Sequence, residues 1–511
     1  MESARRALAA AGLVCVLALA GAVLPAVAAL AALEEGAPAP QARSIPVAPG
    51  DPGSTAGRIV LAIADWLEER LGSGSRTIRL TLDAPMWAEE ENGTVTVHLP
   101  GARLMEPSAP LVQWALGDLT VAVTPRSETA YDFRVPLPAA IDKGPERLTI
   151  GEGTVSGTWR SDLEITTRLE ANARNLRLHE GTGSAAGETM TLGSLAVEDE
   201  LIEGADGLWG GRSTLGLSDL RGRGFTLGRL DAASGFEDFE RDLILQTRGD
   251  VGAFTGGMGG PTALADVLTP LLDGRWGRSE FSVVLRDLTA TGDDTGLSAG
   301  GTLSLGRLEW RADLDGRKDL TDLGMRIAVA DVLLGADAID DIPPAFLPFA
   351  ATIDIALERL PLRGIAEALT ASSQWDGTGE PRTGAIADTV LPHLDAADSA
   401  FALRELRVVA PSYELRAEGR LLIEPASVFG VIGRMDARVR GLSTLMALAA
   451  AEGEEDAVAS LIILQGLGRP VFEEGTDEPF YAYEIDLRRD GAVTVNGIPF
   501  DMLLPDGLLP E

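Results

Sequence analysis

The sequence predicts a mainly β protein: a long, curved antiparallel β-sheet with a few helices covering one face. Three observations carry this. Apolar and polar residues alternate with a period of two from Arg76 to near the C-terminus, the pattern of strands with one wet face. The dipeptides Asn92-Gly93, Glu418-Gly419 and Asp490-Gly491 punctuate those runs, and such pairs supply the positive φ of tight hairpins. Helical spacing occurs only in short segments between them.

The chain opens on an export signal. Arg5 and Arg6 precede an apolar run from Ala7 to Leu33, and Ala26-Val27-Ala28 offers a small-x-small cleavage site. A basic start, an apolar middle and a small-residue exit address a protein out of the cytoplasm. The expected location is the periplasm, with the mature chain starting near Ala29. Left uncut, the run is long enough to anchor the chain in the inner membrane, since a span takes roughly 20 apolar residues. Cys15, the one cysteine, follows Val14 inside this run. It reads as a small apolar residue rather than a lipidation site, so the mature chain carries no thiol or disulfide.

Residues 29–57 form the expected linker, with Pro38, Pro40, Pro46, Pro49 and Pro52 among Gly and Ser, a composition that stays extended. Ile59, Ile63, Trp66, Leu67 and Leu71 then recur near helical spacing and predict a helix over 59–71, ended by Gly72 and Gly74. Beyond it, Ile78, Leu80 and Leu82 alternate with polar residues. So do Val95, Val97 and Leu99, after Asn92-Gly93. The same alternation returns in Ile353, Ile355 and Leu357 against Thr352, Asp354 and Glu358. Tyr413 and Leu415 lead through Glu418-Gly419 to Leu421 and Ile423. Tyr481, Tyr483, Ile485 and Leu487 lead through Asp490-Gly491 to Val493 and Val495. Further helices are predicted over 261–272, at a short turn around 365–369, and as a hairpin over 442–466 broken at Gly453. The expected regions are a signal (1–28), a linker (29–57), a helix-plus-sheet region (58–260) and a C-terminal sheet region (261–511).

A weak repeat runs through the sheet. Thr191-Leu-Gly-Ser-Leu195, Thr226-Leu-Gly-Arg-Leu230 and Ser304-Leu-Gly-Arg-Leu308 share one pattern. Leu217-Ser-Asp-Leu220 matches Leu285-Arg-Asp-Leu288. A repeated strand-turn unit explains both; coincidence in a chain rich in Leu, Gly and Arg is the competing explanation.

The net charge of −34 repels nucleic acid and anionic headgroups, so no nucleic-acid partner is expected. No catalytic constellation stands out. His98, His179 and His393 are scattered without metal-ligand spacing. Asp313, Asp315, Asp319 and Asp322 around Gly316 imitate part of a calcium loop but lack its closing glutamate. The glycine-rich run Thr255–Gly260 lacks the Lys-Ser/Thr ending of a nucleotide loop. No cofactor, metal or catalytic residue is expected.

The signal, the helix around Ala64-Asp65-Trp66-Leu67, the long β region, and the ending Tyr483-Glu484-Ile485-Asp486-Leu487 with Asp490-Gly491 and Val495-Asn496-Gly497 together resemble an uncharacterised alphaproteobacterial envelope family, domain of unknown function twenty-one twenty-five. They are more loosely similar to YdgA-like and AsmA-like proteins. The resemblance implies a β-rich protein of the periplasm or inner membrane, and the AsmA-like relatives imply grooved sheets that handle lipids. The expected function is therefore non-enzymatic: an exported protein binding lipid or another apolar ligand in a sheet groove, with a ligand-free scaffold for envelope proteins as the alternative. Ile353, Ile355 and Leu357 are the candidate apolar face, expected on the side of the covering helices, with Thr352, Asp354 and Glu358 turned to solvent.

Overall fold

A computed structural model describes residues 45–500 except 72–77, 106–112, 164, 182–186, 242–276, 292–300, 317–319, 336–343, 366–382 and 474–477. The signal, the helix expected at 261–272 and the boundary expected at 260/261 lie outside the described residues. Among the described residues the protein is mainly β, with 22 strands in one antiparallel sheet. The chain divides into two compact units, residues 1–203 with 211–233 and residues 204–210 with 234–511.

The first unit begins with helix α1 (Thr55–Leu71). Ser54 caps it: its Oγ accepts the Gly57 N–H at 3.0 Å and its carbonyl accepts the Arg58 N–H at 3.0 Å. Ile59, Ile63 and Leu67 are fully buried on one stripe and pack on β1 (Arg79–Thr81), β2 (Trp87–Glu91) and β3 (Thr94–Met105). The sheet continues through β4 (Gln113–Pro125), β5 (Ala130–Pro136), β6 (Ala140–Lys143), β7 (Glu146–Arg160), β8 (Ile165–Glu180) and β9 (Gly187–Glu203). Val95, Val97, Val121, Val123, Phe133, Val155 and Trp159 join the α1 stripe in one closed core. Each such side chain contributes about 1.5–3 kcal/mol through burial. β10 (Trp209–Gly222) and β11 (Phe225–Phe239) follow in the chain.

Two expectations change here. Asn92 (φ 52°) and Gly93 (φ 77°) do form a tight turn, but it joins β3 to β2, with Glu91 opposite Thr94. The Leu80 strand pairs instead with the far end of β3, Leu80 opposite Leu104. The sequence of β2, Trp-Ala-Glu-Glu-Glu, is mostly exposed and carries no alternation. The end of the expected linker is also not free. Ile45 is buried in the core, and Met86 exchanges hydrogen bonds with the Pro46 carbonyl (2.9 Å) and the Ala48 N–H (2.7 Å). Proline lacks a donor but keeps its acceptor, so a Pro-rich segment can still pair along an edge.

The second unit holds β12 (Arg278–Thr291), β13 (Thr302–Asp315), β14 (Thr321–Leu334), β15 (Ala350–Leu360), helix α2 (Thr383–Ala396), β16 (Ala400–Val409), β17 (Glu414–Ile423) and β18 (Val431–Arg440). Helices α3 (Leu442–Glu452) and α4 (Glu455–Leu467) follow, then β19 (Arg469–Val471), β20 (Phe480–Leu487), β21 (Val493–Val495) and β22 (Ile498–Pro499). From β12 to β18 each strand pairs with the next, and β20 pairs with β18. Asp490-Gly491 turns β20 into β21, and Asn496 (φ 53°) with Gly497 (φ 82°) turns β21 into β22. Glu418-Gly419 is not a turn: both residues lie inside the unbroken strand β17. A Cβ on Gly419 would meet the Arg434 carbonyl oxygen at 2.7 Å, so the glycine serves a close backbone approach.

The predicted helical hairpin is present, with Gly453 (φ 80°) closing α3 by donating to the Ala449 and Ala450 carbonyls. A helical turn occupies 362–365. Helix α2 has no counterpart in the sequence reading, because Pro392 lies inside it and proline argues against a helix interior.

Candidate functional site

The register of the second unit aligns its apolar residues into rows that cross eight strands. One row runs Val283, Trp310, Ile327, Ile353, Leu406, Ala417, Ala437, Tyr483, each opposite the next. A second runs from Phe281 through Met325, Ile355 and Met435 to Ile485. A third runs from Leu285 through Val329, Ala351 and Val439 to Tyr481. Successive side chains alternate between faces, so these rows share one face. The one extra residue in β16, a bulge between Leu403 and Leu406, keeps both leucines on that side.

This face is not a closed core. Of the three rows only Leu403 and Tyr483 are buried. Phe281, Trp310 and Ile353 are 37%, 40% and 37% exposed, and the rest are half-buried. Seven inter-strand spacings and three rows give a footprint on the order of 450 Å², as large as the apolar patches soluble proteins keep for binding. Phe281 and Trp310 meet edge-to-face at 5.1 Å and form an aromatic corner on it. The contiguous core of buried residues contains none of this face.

The opposite face is a lattice of ion pairs. Arg326 bridges Asp354 (3.1 Å) and Glu405 (2.8 Å). Glu309 lies between Arg307 and Arg311, and Arg420 reaches Glu358 at 2.8 Å. Glu414, 3% exposed, accepts from Arg407 (3.0 Å), Arg416 (2.9 Å) and Arg440 (2.6 Å). Burial pushes its carboxyl up, but the Arg416 and Arg407 guanidiniums outweigh that and hold it below the usual carboxylate value. Arg416 and Arg440 also stack on the buried ring of Phe480. Arg404, extruded at the bulge, lines a depression with Arg407, Arg416 and Arg438.

Ile353, Ile355 and Leu357 thus fall on one face, but Ile353 is the exposed member. Thr352, Asp354 and Glu358 are half-buried rather than free in solvent, and Ala356 beside them is 1% exposed. Around Ala356 the charged face carries the paired side chains of Arg326 with Asp354 and of Arg420 with Glu358, whose long stems can cover small neighbours. Sequence reading missed Phe281, Val283, Trp310, Met325 and Ile327. Their alternation was legible; what joins them to Ile353 is the strand register.

The α3–α4 hairpin stands on the apolar side. Tyr483 donates its hydroxyl to the Leu464 carbonyl (2.9 Å), and Gln465 donates to the Tyr481 hydroxyl (2.7 Å). Leu442 is buried, but α4 has no buried residue, and Ile462, Ile463 and Leu464 are exposed. A helix apolar all round normally lies buried, so α4 extends the open apolar surface.

The other candidates do not converge. His98 stacks on Trp87 at 3.8 Å and lies 3.3 Å from a Glu89 oxygen. His179 sits in β8, and the ring of His393 lies against Gly364. Among the described residues no group of three His, Cys, Asp or Glu is placed to hold a metal; Asp319 and the run Thr255–Gly260 lie outside them.

Residues 238–500 match a family described as "Uncharacterized protein conserved in bacteria (DUF2125)". The chain belongs to this family. The matched region is more than half of the sequence and contains β12 to β22 with helices α2, α3 and α4, hence the three apolar rows. Helix α1 and the signal, which shaped the resemblance seen in sequence, lie outside the match. No curated protein and no solved structure matches the chain, and the likeness to YdgA-like and AsmA-like proteins is not among the findings.

Proposed function

We propose that this protein is a non-enzymatic, exported envelope protein that holds a lipid or similar apolar ligand on the open face of its second unit. The observation that carries the reading is Phe281, Trp310 and Ile353 exposed in a continuous apolar field across eight strands. An apolar surface of this extent calls for a ligand or a covering partner. Export rests on the basic-apolar-small pattern of the first 28 residues; retention of that segment would make the protein an inner-membrane one facing the periplasm. The first unit fits the scaffold reading, because its apolar face is sealed by α1. The test is purification from the native envelope, N-terminal sequencing, and mass spectrometry of co-purifying lipids and proteins. Bound lipid with a start near Ala29 supports the reading. A folded, lipid-free protein tied to one protein partner favours the scaffold.

A further inference from the structure

We propose that the lipid taken by this face has no net negative charge on its headgroup: a zwitterionic amine phospholipid, not phosphatidylglycerol or cardiolipin. The inference rests on the lipid-binding reading above and asks what chemistry the surroundings of the face accept.

The three apolar rows contain no charged side chain at any of their eight strands. No guanidinium in them can meet a phosphate. Arg307, Arg311, Arg326, Arg407, Arg416 and Arg440 of the second unit's sheet lie on the reverse face, engaged with carboxylates. An anionic headgroup beside the apolar field would therefore lie without a counter-charge, next to low-dielectric surface. A chain of net charge −34 adds long-range repulsion.

The hairpin supplies the positive selection. Tyr481 and Tyr483 tie the C-terminal end of α4, at Leu464 and Gln465, to the apolar side. The only charges between Leu442 and Leu467 are Glu452, Glu454, Glu455 and Asp456, all exposed at the connection between the helices. Acyl chains lying along Ile462, Ile463 and the strand rows would leave the headgroup in the field of these four carboxylates. That field attracts an ammonium and repels a phosphate with no accompanying amine.

The experiment uses protein purified from the envelope and vesicles carrying pyrene-labelled lipid. Phosphatidylethanolamine–phosphatidylcholine vesicles are compared with phosphatidylglycerol vesicles, at low and high salt. The expected result is several-fold greater loading from the zwitterionic vesicles, with the gap narrowing as salt screens the carboxylates. The combined variant Glu452→Gln, Glu454→Gln, Glu455→Gln, Asp456→Asn is expected to raise phosphatidylglycerol loading and to lower zwitterionic loading, so that the gap between them closes. Equal loading by the native protein, or a preference for phosphatidylglycerol, overturns the headgroup proposal and leaves lipid binding standing. A folded protein that loads neither lipid overturns the lipid reading itself. A variant that gains nothing toward phosphatidylglycerol removes the hairpin from the account.

Discussion

A Cβ on Gly306 would lie 2.7 Å from the Cβ of Asp331. The pairs Leu305–Val332 and Arg307–Ala330 leave these two residues facing each other across β13 and β14, and Asp331 has a φ of 56°. Gly193 and Asp219 repeat the arrangement in the first unit, at 2.9 Å and a φ of 54°. Gly193 and Gly306 are the glycines of the recurring Leu-Gly-Ser/Arg-Leu pattern. Asp219 and Asp287, both at a φ of 54°, are the aspartates of Leu-Ser/Arg-Asp-Leu. Two of the repeat's three glycines thus sit opposite an Asp in the left-handed region, where a Cβ has no room. Asp tolerates that backbone region better than other side chains because it can bond locally.

Gly306→Ala is therefore expected to destabilise the second unit by about 1–3 kcal/mol, because the new methyl meets a fixed Cβ rather than a movable side-chain end. Asp331→Asn should be close to neutral, while Asp331→Val, β-branched and forced to positive φ, should cost about 1–2 kcal/mol. Urea midpoints of the three variants check this order.

Glu414 gives a pH-dependent prediction. Its folded carboxyl titrates below its ordinary value of 4.5. Its stabilisation is thus complete above that value and is lost as pH falls through the lower folded one. Glu414→Gln should cost about 2 kcal/mol near neutral pH, held down by the partial exposure of its three arginines. In acid the native protein and the variant should converge. Unfolding midpoints measured from neutral pH downward test this, and a constant difference would contradict it.

Tyr483 titrates in the opposite direction. Burial pushes its hydroxyl up to about 12 from an ordinary 10.0. The neutral, donating form is favoured in the folded state, so its contribution is whole below pH 10 and fades as pH rises through about 12. Tyr483→Phe should cost about 1 kcal/mol, the worth of one hydrogen bond with its carbonyl left unpaired. Its sharper signature is faster amide hydrogen exchange over 455–467, with the β12–β15 strands unaffected.

Much of this architecture was legible in the sequence. The period-two runs gave the fold class, Asn92-Gly93 and Asp490-Gly491 are turns, and Gly453 does split a helical hairpin. The misreadings have physical causes. Gly419 was mistaken for a turn because a glycine chosen for close strand approach looks, in sequence, like one chosen for positive φ. Strand β2 was overlooked because its exposed Glu89, Glu90 and Glu91 erase the alternation. Helix α2 was hidden by Pro392. Exposure was the least legible property. Ile353 and Val97 have the same local pattern, yet one is 37% exposed and the other fully buried, because α1 covers the first unit's sheet and, among the described residues, no comparable stripe covers Ile353.

That difference supplies the decisive substitution. Ile353→Asp places a carboxylate on a residue already reached by water, so its stability cost should stay below about 1 kcal/mol, as for surface changes generally. Ile355→Asp, half-buried beside Met325 and Leu403, should cost more, since part of the charge loses solvent. Ala356→Leu, on the reverse face at 1% exposure, should destabilise by about 1–3 kcal/mol through overpacking and leave bound lipid unchanged in whatever protein remains folded. Both Ile→Asp variants should lose co-purifying lipid. Thermal midpoints and lipid content, measured on the same preparations, separate the cases. If Ile353→Asp unfolds the protein, the face is core and not a groove. If it leaves both stability and lipid untouched, the apolar field does not hold the ligand, and the reading built on it falls.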